Sequence, residues 1–289
     1  MKGTIIKGVG GSYSVYADEK IIECKPKGIF RNKGIKPIVG DNAEIELLTE
    51  NTGLISKIYE RQSVLIRPEI ANATQAMLVF AAAHPDPSFC MLDRFLINME
   101  MAHIKTIIVF NKDDICTKEK KEEILEVFKN TDYPVYFISA KNDENIDEIK
   151  NVLNNNVTVL AGPSGVGKST LVNRLQSEKH AETGELSLKI MRGKNTTRHS
   201  EMLKASENSR IIDTPGFTSF DVNGIEAIDL QLYYPEIKKH AGKCYFTKCA
   251  HITEPGCVVK AEVEKGNISR TRYENYCMIY NDIKSRRKY

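Results

Sequence analysis

The chain has 289 residues, of which 41% are apolar and 27% are charged, a composition typical of a globular protein with two or three small domains. The net charge of +3 is too small to indicate a nucleic-acid partner by itself. The longest apolar run, residues 76–83, is too short to span a bilayer, so we expect a cytoplasmic protein with no membrane partner. Seven unevenly spaced cysteines argue against a disulfide framework.

The N-terminal part, residues 1–66, alternates short β-type runs with turns rich in Gly, Asn and Lys. The runs cover residues 4–7, 12–16, 21–24, 43–48 and 54–58, and this spacing predicts a small barrel of the OB type. Between the third and fourth runs lie five basic residues and no acidic one, namely Lys25, Lys27, Arg31, Lys33 and Lys36. This loop either follows an RNA backbone while Phe30 stacks on a base, or is only solvated.

The central part, residues 67–220, alternates predicted strands and helices. Apolar runs at 77–81, 106–110, 135–139 and 157–161 predict buried strands, and residues 89–101, 118–129 and 144–153 have helical patterns. This succession predicts a parallel sheet with helices on both faces. Ligands of such a sheet bind at the carboxyl ends of the strands, so the loops there are the candidate site.

A phosphate-binding loop follows the run at 157–161. The loop has the G-x-x-x-x-G-K-S motif. With the threonine that follows the motif, its candidate nucleotide-binding residues are Gly162, Pro163, Ser164, Gly165, Val166, Gly167, Lys168, Ser169 and Thr170. The glycines let backbone N–H groups point at an anion, Lys168 can reach the β- and γ-phosphates, and the Ser169 hydroxyl can ligate Mg²⁺. The alternative is a chance Gly-rich turn, but the strand before the loop and the helical pattern after it favour phosphate binding.

Two further loops at strand ends predict that the base is guanine. The residues in these loops that are candidates for nucleotide binding are Asn111, Lys112, Asp114, Ser139, Ala140 and Lys141. The Asp114 carboxylate can accept from the guanine N1–H and exocyclic amine, while Asn111 holds the loop and the stem of Lys112 lies on the base. The Ala140 N–H can donate to the guanine O6. Alone, the tetrapeptide at 111–114 would more often be a helix cap or a turn.

Two later segments predict the magnesium and γ-phosphate part of the site. A short apolar strand ends at Asp213, which can hold Mg²⁺ through water, and the Gly216 N–H can contact the γ-phosphate. Upstream, Thr196 or Thr197 would complete the Mg²⁺ shell when that phosphate is present. An ordinary turn at residues 213–216 is the alternative, and the other elements of the same site make it weak.

A cluster of metal-binding side chains lies near the C-terminus. Cys244, Cys249, His251 and Cys257 fall within fourteen residues and have the spacing of a closed tetrahedral zinc site. We therefore expect one structural Zn²⁺, because so short a segment would otherwise struggle to hold a fold. The alternative is a set of unconnected buried cysteines.

The last stretch, residues 268–288, has a helical pattern. Tyr273, Tyr276, Tyr280 and Ile283 form one stripe on this helix and are expected to pack. The rest of the helix carries Arg270, Arg272, Lys284, Arg286, Arg287 and Lys288. These charges either face phosphates or only solvent.

The order of the motifs is permuted, because the guanine loops precede the phosphate loop whereas ordinary GTPases have them after it. The chain also contains Leu-Asp-Arg-Phe-Leu at 92–96, Glu-Pro-Gly at 254–256 and Arg-Tyr-Glu at 272–274. With these motifs, the permuted order and the zinc cluster, the chain resembles the ribosome small-subunit-dependent GTPase A family over essentially its whole length. The resemblance implies an OB-fold RNA-binding domain at 1–66, a circularly permuted GTPase domain at 67–220 and a mainly helical zinc-binding domain at 221–289.

The resemblance also implies the activity and the partners. It implies an enzyme that hydrolyses GTP to GDP and phosphate with Mg²⁺, during late maturation of the small ribosomal subunit, bound to the subunit and its rRNA. We expect a monomer. A GTP-gated RNA-binding scaffold with incidental hydrolysis is one alternative, and a P-loop ATPase or small-molecule kinase, which Asp114 argues against, is another.

The candidate catalytic residues are Lys168, Thr196, Thr197, His199 and Gly216. The family usually has Gly-Arg-His-Thr-Thr where this chain has Gly-Lys-Asn-Thr-Thr at 193–197, so Asn195 replaces a histidine and His199 is its candidate substitute. Phe217 stands where many GTPases carry a glutamine that orients water. We therefore predict slow intrinsic hydrolysis, accelerated by the ribosomal partner or by an ordered switch loop.

Overall fold

The computed structural model describes residues 1–32, 34–66, 68–176, 200–214 and 221–286. The chain forms two compact units. The first contains Met1–Met77, Asn145–Ala161 and Lys168–Phe217, and the second contains Leu78–Glu144, Gly162–Gly167 and Thr218–Tyr289. Each unit therefore combines segments that are far apart in the sequence.

Five strands at the start of the first unit close into a barrel. They are β1 (Lys2–Val9), β2 (Ser12–Ala17), β3 (Lys20–Pro26), β4 (Asn42–Leu47) and β5 (Thr52–Ile58). Their order is β1-β2-β3-β5-β4, and a pairing of β1 with β4 closes the ring. Alternate side chains, among them Ile5, Val15 and Ile45, fill the interior. The predicted OB-like barrel and its five strands are confirmed.

The loop between β3 and β4 differs from the prediction at its aromatic residue. It contains a short helix, α1 (Ile29–Asn32). The Phe30 side chain is only 6% exposed and packs in the barrel core, so the option that it stacks on an RNA base is wrong. Lys27 pairs with Glu46 at 2.6 Å and Lys36 pairs with Glu69, which partly neutralises the positive charge of the loop.

A small hairpin and then the first α/β elements follow the barrel. The hairpin consists of β6 (Val64–Ile66) and β7 (Glu69–Ala71), and the α/β elements are β8 (Gln75–Ala81), α2 (Phe89–Met101), β9 (Lys105–Asn111), α3 (Lys118–Phe128) and β10 (Val135–Ile138). Strands β9 and β10 pair in parallel. Every residue of β8 is buried, as its continuous apolar pattern predicts. The hairpin has no counterpart in the sequence prediction.

The chain then returns to the first unit. Its elements there are α4 (Ile146–Leu153), β11 (Val157–Ala161), α5 (Lys168–Leu175), β12 (Glu201–Lys204) and β13 (Arg210–Asp213). Strands β11 and β13 are parallel, and β12 pairs antiparallel with β13 and with β1 of the barrel. The β12–β1 junction carries an ion pair between Lys7 and Glu201 at 3.2 Å. The sequence pattern did not predict β12.

The C-terminal part of the second unit is helical. It contains a 3₁₀ helix (Ala227–Tyr233), α6 (Pro235–Lys238), α7 (Val258–Glu264) and α8 (Arg270–Arg286). Tyr276 and Ile283 are buried in its core and Tyr273 and Tyr280 pack against it, so the predicted tyrosine stripe of α8 is confirmed. Among the described residues, no helix combines the length and the apolar character that a membrane crossing needs.

Candidate active site and metal centre

The phosphate loop occupies residues 162–167, between the end of β11 and the start of α5 at Lys168. Gly162 has φ 144°, and a Cβ atom there would lie 2.0 Å from the Val79 carbonyl oxygen. Gly167 has φ 91°, and its Cβ would lie 2.4 Å from the Asn111 Nδ2 atom. Both glycines of the motif are therefore required, since a side chain would collide with neighbouring segments.

The other loop residues differ in exposure. Val166 is 1% exposed and anchors the loop in the core. Pro163 and Lys168 are half-buried, whereas Ser164, Gly165, Ser169 and Thr170 are exposed. The hydroxyl groups are therefore open to a ligand at the start of α5, where the helix dipole favours an anion.

Asn111, the last residue of β9, connects three loops of the second unit. Its Nδ2 donates to the Val166 carbonyl at 2.8 Å, and its Oδ1 accepts from the Ala140 N–H at 2.9 Å. The side chain is 3% exposed, so both hydrogen bonds are shielded from water. The amide therefore holds the Asn-Lys-Asp-Asp loop, the Ser-Ala-Lys loop and the phosphate loop together, a role that the sequence assigned only to the first of these.

The Ala140 N–H was expected to donate to the guanine O6, but in this structure it donates to Asn111. Ala140 is completely buried, whereas the adjacent Lys141 is exposed. Ala140 thus supports the loop from within, and its contact with the guanine O6 stays a prediction.

The two aspartates of the loop have different roles. Asp113 forms an ion pair with Lys121 of α3 at 2.8 Å. Asp114 is exposed, and its Oδ1 accepts from the Ser139 hydroxyl at 2.7 Å. The Ser139 hydroxyl also accepts from the Asn142 N–H at 3.2 Å, which fixes its orientation. Asp114 therefore presents an oriented carboxylate at the surface, as recognition of guanine requires.

Lys112 holds the other side of the loop. Its backbone is left-handed, with φ 68°, and its Nζ donates to the His84 carbonyl. This bond keeps the aliphatic stem of Lys112 in one position, which suits the predicted packing against a base.

Asp213 is the last residue of β13 in the first unit. It lies opposite Leu160 in the register of the parallel strands β11 and β13, one residue before the strand β11 ends. The next residue, Thr214, is 1% exposed and donates from its hydroxyl to the Leu160 carbonyl at 2.7 Å. The strand end that carries Asp213 is thus fixed beside the strand that leads into the phosphate loop. Thr196, Thr197, His199, Gly216 and the replaced positions Asn195 and Phe217 lie outside the described residues.

The structure brings the four predicted metal ligands together in the second unit. One ligand atom from each of Cys244, Cys249, His251 and Cys257 lies within 4.8 Å of all the others. The Cys244 and Cys257 Sγ atoms are 3.9 Å apart, and the His251 Nδ1 atom is 3.6 Å and 3.3 Å from them. Zn–S bonds of about 2.3 Å and Zn–N bonds of about 2.1 Å in a tetrahedron place ligand atoms about 3.6–3.8 Å apart. The four residues therefore fit one tetrahedral Zn²⁺ bound through Nδ1 of His251.

Neighbouring side chains orient this ligand set. The His251 Nε2 atom is 2.9 Å from the Gln231 Oε1 atom, and the Gln231 Nε2 donates to the Ile228 carbonyl at 2.8 Å. Because the amide is fixed in this direction, Oε1 accepts from an Nε2–H and leaves Nδ1 for a metal. Glu254 accepts from the N–H groups of Ala250, Ile252 and Thr253 at 2.8–3.0 Å. No pattern in the sequence pointed to Gln231.

The hydroxyls of two tyrosines of α8 support the same loop. Tyr273 donates to the His251 carbonyl at 2.7 Å and Tyr276 donates to the Ala250 carbonyl at 2.8 Å. The tyrosine stripe thus attaches α8 to the metal-ligand segment as well as to the core.

A buried ion cluster joins α2 to the C-terminal helices of the same unit. Arg272 is 1% exposed and donates to Asp93 and, from Nε at 2.5 Å, to Glu236. Burial raises the pKa of the Asp93 carboxyl to about 6. The positive charge of Arg272 and a hydrogen bond of 2.8 Å from the Asn275 amide act in the opposite direction and lower this pKa. The option that Arg272 faces phosphates is therefore wrong. A signal in the sequence for this cluster was Asp93, a charged residue beside Leu92 on the face of α2 that is buried.

Together the fold and these loops define a P-loop GTPase with circularly permuted motif order. Two family models match the chain, the RsgA N-terminal domain at residues 2–55 and the RsgA GTPase at residues 58–223. The chain is 46% identical to the small ribosomal subunit biogenesis GTPase RsgA of Agathobacter rectalis and 45% identical to that of Clostridium botulinum strain 657, covering the whole chain and 99–100% of each relative.

Solved structures agree with these matches. YloQ, described as a circularly permuted GTPase, has a TM-score of 0.80 and 34% identity, with coverage of 99% of this chain and 95% of YloQ. YjeQ from Thermotoga maritima has a TM-score of 0.82 and 32% identity, with 98% of both chains covered. The chain belongs to the RsgA GTPase family and is a GTP-hydrolysing enzyme.

Proposed function

We propose that this enzyme acts in late maturation of the small ribosomal subunit, where GTP hydrolysis controls how long it stays on the subunit. The observation that carries the nucleotide part is the Asn111 side chain, which ties the two guanine loops to the phosphate loop. The names of the full-length relatives support the ribosomal part. We also infer that it works as a cytoplasmic monomer whose barrel and helical domain bind rRNA.

The proposed chemistry assigns a role to each motif. Asp114 would recognise guanine, Lys168 would bind the β- and γ-phosphates, and Ser169 and Asp213 would hold Mg²⁺, Ser169 directly and Asp213 through water. Thr196 or Thr197 would complete the magnesium shell, and the Gly216 N–H would contact the γ-phosphate. Because Phe217 cannot orient water, we expect the ribosomal subunit to supply the missing stabilisation of the transition state.

The first experiment measures GTP hydrolysis with and without isolated small ribosomal subunits, at low and at high salt. We expect strong stimulation that fades with salt, because phosphate contacts release counter-ions. Lys168→Ala serves as the control that removes turnover in both conditions. Absence of stimulation at either salt concentration would contradict the proposed partner and favour a GTP-gated RNA-binding scaffold.

The base assignment has its own test. Xanthine carries a carbonyl where guanine carries its exocyclic amine, so Asp114→Asn should transfer binding from GTP to xanthosine triphosphate. Asp113→Asn is the matched control, because Asp113 pairs with Lys121 and not with the base. Unchanged preference for GTP in Asp114→Asn would contradict the role given to Asp114.

A further inference from the structure

The metal-ligand loop exposes two neighbouring aromatic rings. Tyr245 and Phe246 lie between Cys244 and Cys249, and they are 87% and 42% exposed. Their ring centroids are 5.2 Å apart at an interplanar angle of 85°, an edge-to-face pair. Two exposed rings side by side offer flat apolar faces that a partner can cover.

The base of this loop is held firmly. Both flanking cysteines belong to the proposed zinc site, and the Cys244 Sγ atom also accepts from the Val258 N–H at 3.4 Å. The segment after Cys249 is fixed by Glu254, whose carboxylate accepts from the Ala250 N–H at 2.8 Å. The rings are therefore presented from an ordered base, which lowers the entropy cost of binding a partner.

The charge around the rings favours an anionic partner. Residues 238–253 contain four lysines and no acidic residue. Lys239 pairs with Asp132 at 3.3 Å, but Lys243 and Lys248 stand exposed on either side of the rings in the sequence. A partner with regularly spaced negative charges and flat apolar faces matches this arrangement.

The exposure of Tyr245 distinguishes between anionic partners. A peptide side chain is recognised in a concave pocket or groove, whereas a ring that is 87% exposed stands clear of any cleft. A nucleic-acid base needs only a flat face on which to stack. Bases inside a duplex already stack on their neighbours, so the accessible base is an unpaired one.

We propose that Tyr245, supported by Phe246 and flanked by Lys243 and Lys248, is a stacking platform for an unpaired base of single-stranded RNA. The proposal deepens the proposed function, on which it rests for the identity of the partner as RNA. It adds the place of contact, the single-stranded form and the residue that touches the base.

The absence of tryptophan from the sequence gives a direct test. Tyr245→Trp introduces a single tryptophan at the platform, and Leu125→Trp, at a 43% exposed position of α3, is the matched control. A short single-stranded RNA should quench the fluorescence at position 245 and leave that at position 125 unchanged. A duplex of the same sequence should leave both unchanged. Equal quenching at both positions, or by the duplex, would contradict the proposal.

Affinity measurements separate stacking from charge. Tyr245→Ala should weaken binding of the single-stranded RNA about 5- to 150-fold, which corresponds to the ~1–3 kcal/mol of one stacked base. Tyr245→Phe should retain the affinity. The dependence on salt should stay unchanged in Tyr245→Ala, whereas Lys243→Gln should reduce its slope by about one. The zinc content of each variant, measured in parallel, shows whether the loop is still folded.

The outcomes distinguish the platform from the proposed function. If Tyr245→Ala binds zinc and RNA as the unsubstituted protein does, the platform is wrong, although stimulation of hydrolysis by small subunits can persist. If the unsubstituted protein binds no single-stranded RNA but is still stimulated by subunits, the platform is also wrong. If the unsubstituted protein neither binds single-stranded RNA nor is stimulated by small subunits, the proposed function fails as well.

Discussion

Replacing Arg272 with methionine tests how strongly the buried ion cluster stabilises the second unit. Arg272 is 1% exposed, and its guanidinium contacts the carboxylates of Asp93 and Glu236, which are 0% and 4% exposed. Methionine keeps an unbranched side chain that can fill most of the space. It leaves the two carboxylates buried without their counter-ion.

The expected loss is large because the remaining charges stay desolvated. Removing one partner of a buried ion pair costs about 3–5 kcal/mol. Tyr234 and Asn275 still donate to Asp93, at 3.3 Å and 2.8 Å, and these hydrogen bonds offset part of the cost. We therefore expect the free energy of unfolding to fall by ~3 kcal/mol near neutral pH.

The loss should also depend on pH. In the folded protein, burial holds the pKa of Asp93 at about 6, above its ordinary value of 3.8. Between these values the folded protein binds more protons than the unfolded chain, so this group's contribution to stability falls as the pH rises. Arg272 lowers this pKa, so its removal raises the pKa further. The pH range over which stability falls then extends to higher pH. Arg272→Met should therefore be less destabilising near pH 5 than near pH 8.

The assay is urea unfolding followed by circular dichroism at both pH values, with zinc and GDP present. Arg270→Met, the same change at an exposed position of the same helix, should alter the free energy of unfolding by less than about 0.5 kcal/mol. If the two variants lose the same stability, or if the loss in Arg272→Met is equal at both pH values, the assigned role of the cluster is wrong.

Three further predictions concern the two sites. Gln231→Leu removes the acceptor for the His251 Nε2–H, so chelator competition should show zinc binding about 10- to 100-fold weaker. Gln231→Glu keeps an acceptor and should bind zinc more tightly than Gln231→Leu. Asn111→Ala removes the hydrogen bonds to the Val166 carbonyl and from the Ala140 N–H, so calorimetry should record weaker GDP binding, and thermal unfolding should record a loss of ~1–3 kcal/mol. The exposed Asn142→Ala should change neither quantity, and equal effects would refute the connecting role of Asn111. Removal of zinc by a chelator should increase hydrogen exchange in residues 244–268 but not in the barrel strands. If exchange in residues 244–268 were the same with and without the chelator, the metal would not be structural.

The sequence by itself determined the features whose chemistry depends on local spacing. The two glycines of the phosphate loop, the four metal ligands and the five barrel strands follow from residue order, because a tight loop, a small tetrahedral site and a pleated strand each impose a short repeat or a fixed interval. The tyrosine stripe of α8 follows from helical periodicity for the same reason.

Only the tertiary structure decided which partner each polar or aromatic side chain finds. The spacing of the loop selected Asp114 for guanine, but it did not reveal that Asp113 pairs with Lys121 or that Ser139, in another loop, orients Asp114. The loop pattern allowed Phe30 to stack on a base, but the barrel buries this side chain in its core.

Arg272 shows the physical reason most clearly. Its partner Asp93 lies 179 positions away in the sequence, and no local pattern records a contact at that separation. Burial then turns an apparently solvated arginine into the centre of a cluster, because a desolvated charge must be compensated wherever the fold places it. Local spacing thus determines which groups can perform the chemistry, and long-range packing determines which of them are available for it.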